Sequence, residues 1–163
     1  MGIFDTLLIL ATFLCSLVAG FVFAFAVVVM PGIKNLKDAE FICAFQVVDR
    51  IIQDNQPLFI FVWVGSVLAL VASACFGIFE LTGLRRVLLM VATCTYVLTV
   101  QLPTLRINIP LNNQLQRLEV DSMNDQDLQI GRAAFEPRWN RWNNIRTVFA
   151  SLVSLLLMIL LLQ

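Results

Sequence analysis

The chain has 163 residues, 60% of them apolar and 13% charged, and its mean hydropathy is +0.87. Soluble domains carry about 45 to 50% apolar and about 25% charged residues, and a domain this small leaves too much surface in solvent to hide the excess, so a membrane protein is predicted. Eleven Lys and Arg balance eleven Asp and Glu; no net field recruits nucleic acid, and it is excluded as a partner.

The chain has no histidine, which removes imidazole-dependent zinc and haem sites and the Glu-x-x-His di-iron pattern. Neither a metal nor another cofactor is expected. Cys15, Cys43, Cys75 and Cys94 form no C-x-x-C pair and are expected to be small buried hydrophobes.

In chain order, the first span is predicted over 7–30, ending at Pro31-Gly32; at about 1.5 Å per residue this crosses a ~30 Å hydrocarbon core. Only Asp5 precedes it among charged residues, with no basic n-region and no convincing small-residue cleavage site, so a removed signal peptide is not expected. The second span, 58–79, opens at Asn55-Gln56-Pro57, proline suiting a first turn whose N–H would be unpaired. A turn through Glu80, Gly83, Arg85 and Arg86 leads to the third span, 85–102, and the fourth is 145–162. Both are short, so Arg85, Arg86 and Arg146 are expected to snorkel outward.

Four spans put the termini on one side and the segments 31–57 and 103–146 on the other. Each of these segments contains an amphipathic stretch, 38–54 and 110–120. In the first, Phe41, Ala44, Phe45, Val48, Ile51 and Ile52 recur at helical spacing beside a polar stripe of Gln46, Asp49, Arg50 and Gln53. These helices either lie at the headgroup level and cap the bundle or form a lid over a pocket. Residues 121–131 read as a polar loop, with a helix restarting at Pro137. Nine of the eleven basic residues lie in the two long segments, which favours the cytoplasm for them.

Small residues recur every four positions at Gly65, Ala69, Ser73 and Gly77, and at Ser16, Gly20 and Ala24. They suit close helix packing, within one bundle or between copies. Thr93, Thr95, Tyr96, Thr99 and Gln101 make the third span the most polar. They read either as helix–helix glue, with hydroxyls bonded back to the preceding turn, or, for Tyr96, Thr99 and Gln101, as a cavity wall.

The densest constellation is Phe135 to Thr147. Trp139, Asn143 and Arg146 share one helix face by their i, i+4, i+7 spacing. Interfacial anchoring accounts for Trp142, Arg138 and Arg141 but less well for the asparagines, since amides at membrane depth need partners. A network to Asn112 and Asn113 is one reading, a ligand-facing polar rim the other. With Ser-His and Cys-His pairs absent, a carboxylate base would be Asp49 or Glu136, although Asp49 beside Arg50 reads more simply as a surface ion pair.

At Met30-Pro31, Asn55-Gln-Pro-Leu-Phe59, Ile109-Pro-Leu-Asn-Asn-Gln-Leu115 and Trp139-Asn-Arg-Trp-Asn-Asn-Ile-Arg-Thr147 the chain resembles the anthrone oxygenase-like family of small four-helix membrane proteins. The resemblance implies, from some relatives, oxygenation of anthrones to anthraquinones without metal or flavin; it carries over no catalytic set. Asp49-Arg50 stands where the family pattern leads one to expect Asn-Arg.

These readings together predict an all-α fold: a four-transmembrane-helix bundle with amphipathic interfacial helices on one side. The setting expected is a bacterial cytoplasmic membrane crossed several times. The leading expectation is a binder of a flat apolar ligand, anthrone- or quinol-like, held by Trp139, Asn143, Arg146, Asn112 and Gln101, with cofactor-independent oxygenation as its chemistry. The rival is a non-catalytic scaffold packing against a second copy or a partner membrane protein. A transporter or channel is disfavoured, because no ionisable residue lies near the middle of a span.

Overall fold

A computed structural model describes residues 2–162. Among these, five helices of four turns or more build the molecule: α1 (Ile3–Ile33), α2 (Asp38–Gln53), α3 (Pro57–Glu80), α4 (Gly83–Gln116) and α5 (Asp125–Leu161). All but α2 are long and apolar enough to cross a membrane. Phe13, Leu68, Val91 and Leu152 stand exposed on their outer faces, a placement that favours lipid over water. The chain is an all-helical, multi-pass membrane protein.

Three prolines at the boundaries of the expected segments are instead absorbed into continuous helices. Wide turns with i→i+5 bonding cover Phe25–Val29, Val97–Gln101 and Thr104–Asn108, and each ends two residues before a proline: Pro31, Pro103 and Pro110. A proline ring cannot donate to the carbonyl four residues back and collides with it; one extra residue in the preceding turn relieves the clash without ending the helix. The span expected at 85–102 therefore continues to Gln116. The segment 110–120 is largely its last two turns rather than a separate interfacial helix.

The last helix also begins earlier than expected. Asn124 Oδ1 accepts the Asp127 N–H at 2.9 Å, and Asp125 and Asp127 sit in the first turn, where carboxylates are favoured by the unpaired N–H groups. The residues read as a loop over 121–131 thus include a helix cap. From there Leu128, Phe135 and Trp139 follow at intervals of seven and four and are all buried, one continuous stripe that carries α5 through Pro137 into the span.

The stripe Gly65, Ala69, Ser73, Gly77 is an intramolecular seam. A Cβ on Gly65 would come 3.1 Å from Leu14 of α1, and one on Gly77 would come 2.6 Å from Leu89 of α4. The stripe on α1 differs: Gly20 is exposed and has open space around it. Of the cysteines only Cys15 is buried; Cys43, Cys75 and Cys94 are exposed, against expectation, because their helix faces point out of the bundle.

Two apolar cores stack along the bundle. One, between the spans, is built around Leu8, Leu14, Leu70, Leu89, Tyr96 and Leu157. The other, under α2, is largely aromatic: Phe25, Phe41, Phe45, Phe135 and Trp139. Two polar clamps hold α2 over it. Arg132 of α5 donates to the carbonyls of Lys34 (2.6 Å) and Leu36 (2.9 Å) and to Asp38 (3.0 Å) and Glu136 (2.7 Å), with its guanidinium 4.3 Å from the centre of the Phe41 ring. Gln46 Nε2 donates to the Leu115 and Leu118 carbonyls at 2.8 and 3.0 Å, supplying partners at the end of α4 where helical ones run out; Gln116 Nε2 returns a bond to the Gln46 carbonyl at 2.8 Å.

Candidate functional site

Between the two cores lies a cavity of about 120 Å³. Six aromatic side chains stand in its wall: Phe21 and Phe25 from α1, Phe45 from α2, Phe59 and Trp63 from α3, and Trp139 from α5. The polar lining comes from three helices, with Asp49 on α2, Thr104, Asn108 and Asn112 on α4, and Arg146 on α5. The wide turns set this geometry. Phe25 opens the one before Pro31, while Thr104 and Asn108 bound the one before Pro110. Thr104, Asn108 and Asn112, each four residues on from the last, present one side of α4 to the cavity.

Arg146 is 4% exposed, which corrects the expectation that it snorkels outward. Its Nη1 donates to Thr104 Oγ1 at 2.8 Å and its Nη2 to Asn143 Oδ1 at 2.9 Å. Thr104 spends its own hydrogen on the Val100 carbonyl at 2.6 Å, so its oxygen is held as an acceptor toward the guanidinium. Asn143 is fixed in turn by donation to the Val22 carbonyl of α1 at 3.0 Å. No carboxylate lies within ion-pairing distance of Arg146 among the described residues, and its Nε is buried without a partner. Inward hydrogen bonding wins over snorkelling because short neutral acceptors on α4 and α5 already stand at the right depth.

Asp49 is likewise buried, at 3% exposure, and pairs with no cation among the described residues. Its carboxylate accepts from Asn112 Nδ2 (2.7 Å), Gln53 Nε2 (2.7 Å) and Gln116 Nε2 (3.2 Å). The surface ion pair with Arg50 is therefore not formed. On α2 the buried face is Phe41, Phe45, Asp49, with Ile52 half-buried, while Val48 and Ile51 of the expected apolar stripe are exposed. A helix bordering lipid has no need to turn its carboxylate outward when amides wait inside. Glu136, the other carboxylate candidate, is held by Arg132 and does not line the cavity.

Asn112 bridges the two sides. Its Oδ1 accepts from Trp139 Nε1 at 2.7 Å while its Nδ2 serves Asp49, which fixes the orientation of the amide. Asn113 is exposed and takes no part. Asn108 is 2% exposed; its amide nitrogen reaches the Trp139 carbonyl only at 3.5 Å, and its Oδ1 has no partner.

Of the five residues singled out from sequence, Trp139, Arg146 and Asn112 line the cavity. Asn143 stands behind Arg146, and Gln101 behind Trp63, whose Nε1 donates to its Oε1 at 2.9 Å. Tyr96 is buried elsewhere, 2.8 Å from the Ser66 hydroxyl, and Thr93 and Thr99 bond back to their own helix. Sequence reasoning missed Thr104, Asn108 and Trp63. The signal available was the polar i, i+4, i+8 series 104, 108, 112, hidden by dividing the helix into a span over 85–102 and a segment over 110–120.

A shallow apolar groove of about 240 Å³ opens outside, between α1 and α3. It shares Phe21, Phe59 and Trp63 with the cavity. Phe59 and Trp63 stack at 5.3 Å and Phe21 meets Phe59 edge-on at 5.2 Å, so three rings separate the interior from the lipid side. Among the described residues no three acidic or thiol side chains come together to hold a metal ion.

The model of the anthrone oxygenase family matches residues 55–156, more than half of the chain, and the chain belongs to that family. The match covers every cavity residue on α3, α4 and α5 and leaves out α1 and α2, and with them Asp49. No protein of curated function and no solved structure matches the chain.

Proposed function

We propose that this anthrone oxygenase family member binds a flat hydroxyaromatic ligand of the anthrone class and oxygenates it without metal or flavin. The observation that carries the reading is a pair of unpartnered buried atoms on two residues that line one cavity, the donor Arg146 Nε and the acceptor Asn108 Oδ1. A buried polar group left unpaired costs about 1 to 3 kcal/mol, and a ligand bearing an enolic oxygen and a hydroxyl would satisfy both.

Size limits how such a ligand sits. A dry cavity of about 150 Å³ takes a benzene ring, so about 120 Å³ admits roughly one ring. A tricyclic ligand would extend past Phe21, Phe59 and Trp63 into the outer groove, which is also its route from the bilayer.

The chemistry follows from two buried groups of opposite charge that are not neutralised by each other. Asp49 takes a proton from the methylene carbon of the anthrone; the electron pair delocalises onto the carbonyl oxygen, and Arg146 meets the negative charge developing there. The carbanion gives electrons to dioxygen and a C–O bond forms, yielding a hydroperoxide once a proton returns. Loss of water with the second methylene hydrogen leaves the quinone carbonyl, so R₂CH₂ and O₂ become R₂CO and H₂O. The low-polarity wall keeps bulk water from the anion.

The all-helical bundle suits a cytoplasmic membrane rather than an outer membrane, whose spanning proteins are barrels. The test is reconstitution in lipid nanodiscs with an anthrone under oxygen. Quinone and consumed oxygen should accumulate one to one and fall with Arg146→Gln and Asp49→Asn. A ligand bound but unchanged refutes the oxygenation; no binding by a folded bundle refutes the whole reading. A scaffold role draws on the Ser16, Gly20, Ala24 stripe, in which Gly20 is exposed and Ser16 and Ala24 are half-buried, and a stoichiometric partner on copurification would favour it.

A further inference from the structure

The formal charge of the chain is zero, yet it is unevenly spread. From Thr104 to Leu118 and from Pro137 to the end there is no acidic residue, while Arg106, Arg117, Arg138, Arg141 and Arg146 fall in those stretches. Arg146 is used inside. Arg106, Arg138 and Arg141 are exposed, and none makes an ion pair among the described residues.

Beside them a groove of about 390 Å³ lies between α4 and α5, away from the cavity. Leu98, Leu102, Pro103 and Ile107 form its α4 side, Trp142 its α5 side, and Arg106 its one charged member. Leu98 and Leu102 are exposed. From Leu98 to Ile107 it runs about 13 Å along the helix, at 1.5 Å per residue. The apolar end lies toward the spans. The Arg106 end lies level with the point where α5 changes from apolar residues to Arg138, Arg141 and Trp142, one helical turn apart on one side.

We infer that this groove is a binding site for an anionic phospholipid, its acyl chain lying along Leu98, Leu102 and Pro103 and its phosphate held by Arg106 with Arg138. Charge complementarity selects the occupant. A neutral chain would fill the apolar length but leave unanswered the arginines at its end, whereas an acidic peptide or free phosphate would leave the apolar length empty. A tryptophan at the groove's polar end is what a lipid headgroup boundary favours. The inference stands apart from the oxygenase reading, since none of these residues lines the inner cavity.

The experiment is quenching of tryptophan fluorescence in the purified full chain by brominated phosphatidylglycerol and brominated phosphatidylcholine. The anionic lipid should bind at least about fivefold more tightly, the effect of one interfacial arginine, and excess inorganic phosphate should not displace it. Trp142→Phe should remove the difference in quenching between the two lipids; Trp63, which borders the outer groove, should be quenched by both alike. Arg106→Gln with Arg138→Gln, both exposed and free of protein partners, should reduce the preference to less than about twofold while the protein elutes as before. Equal binding of the two lipids, displacement by phosphate, a difference between the two lipids in quenching that survives Trp142→Phe, or a preference that survives the double substitution would overturn the inference.

Discussion

Arg146 Nη1 donates to Thr104 Oγ1 at 2.8 Å, a cation on one span held by a hydroxyl on another with no carboxylate to neutralise it. Arginine in a membrane interior costs about 2.5 to 3.5 kcal/mol on insertion scales, and its hydrogen bonds to neutral acceptors return about 1.5 to 3 each. The two sides nearly cancel. Arg146→Met also leaves the buried Asn143 Oδ1 without its donor, at about 1 to 3 kcal/mol, so the thermal midpoint should fall by about 2 to 12 °C while ligand binding drops by about tenfold or more, the worth of one charged hydrogen bond. Thermal unfolding and ligand titration on the same preparation check this; a collapse in stability would mean that Arg146 is structural.

Asp49→Asn keeps the shape of the side chain and removes its charge. If Asp49 is the base, turnover of an anthrone should fall by about 10² to 10⁴, the usual contribution of a positioned proton acceptor, with the dissociation constant moving less than about threefold. Glu136→Gln should leave turnover unchanged, because that carboxylate is occupied by Arg132. Single-turnover kinetics separate the two effects.

Val62 lines the outer groove but not the cavity. Val62→Trp should weaken a three-ring ligand by about tenfold while leaving a single-ring phenol within about twofold, since overfilling a packed site costs about 1 to 3 kcal/mol only where ligand and new ring compete. Equal effects on both ligands would show that the larger one does not reach the groove.

Gly77→Ala and Gly20→Ala form a matched pair. The first puts a methyl group 2.6 Å from Leu89 and 3.2 Å from Phe4 and should cost about 1 to 3 kcal/mol by overpacking. The second meets nothing within 4 Å and should be neutral or slightly stabilising in the monomer. Unfolding of each variant in detergent measures both; a large loss for Gly20→Ala, accompanied by dissociation, would identify that stripe as a seam between copies.

The helical spacing of Trp139, Asn143 and Arg146 was legible because a single continuous helix carries them, and periodicity within one helix survives any tertiary arrangement. Asp49 was misread for the opposite reason. Its neighbours on α2 are ambiguous, with apolar residues on both sides of the helix, and only the amides of Asn112 and Gln116 on α4 decide that the carboxylate turns in. The prolines misled in the same way. Pro103 and Pro110 carry a real local preference for ending a helix, and whether a wide turn absorbs them depends on what the surrounding helices gain by continuity.

The sequence alone determined that the chain crosses a membrane and how many times, because burying that much hydrocarbon is a property of composition and run length. It also placed the arginine and amides near one end of the spans. Which of them face a common interior, and that Asp49 and Arg146 line one cavity unpaired, was decided only by the packing of α2, α4 and α5. Partners for buried polar atoms come from residues distant in the chain, and no spacing along one helix encodes them.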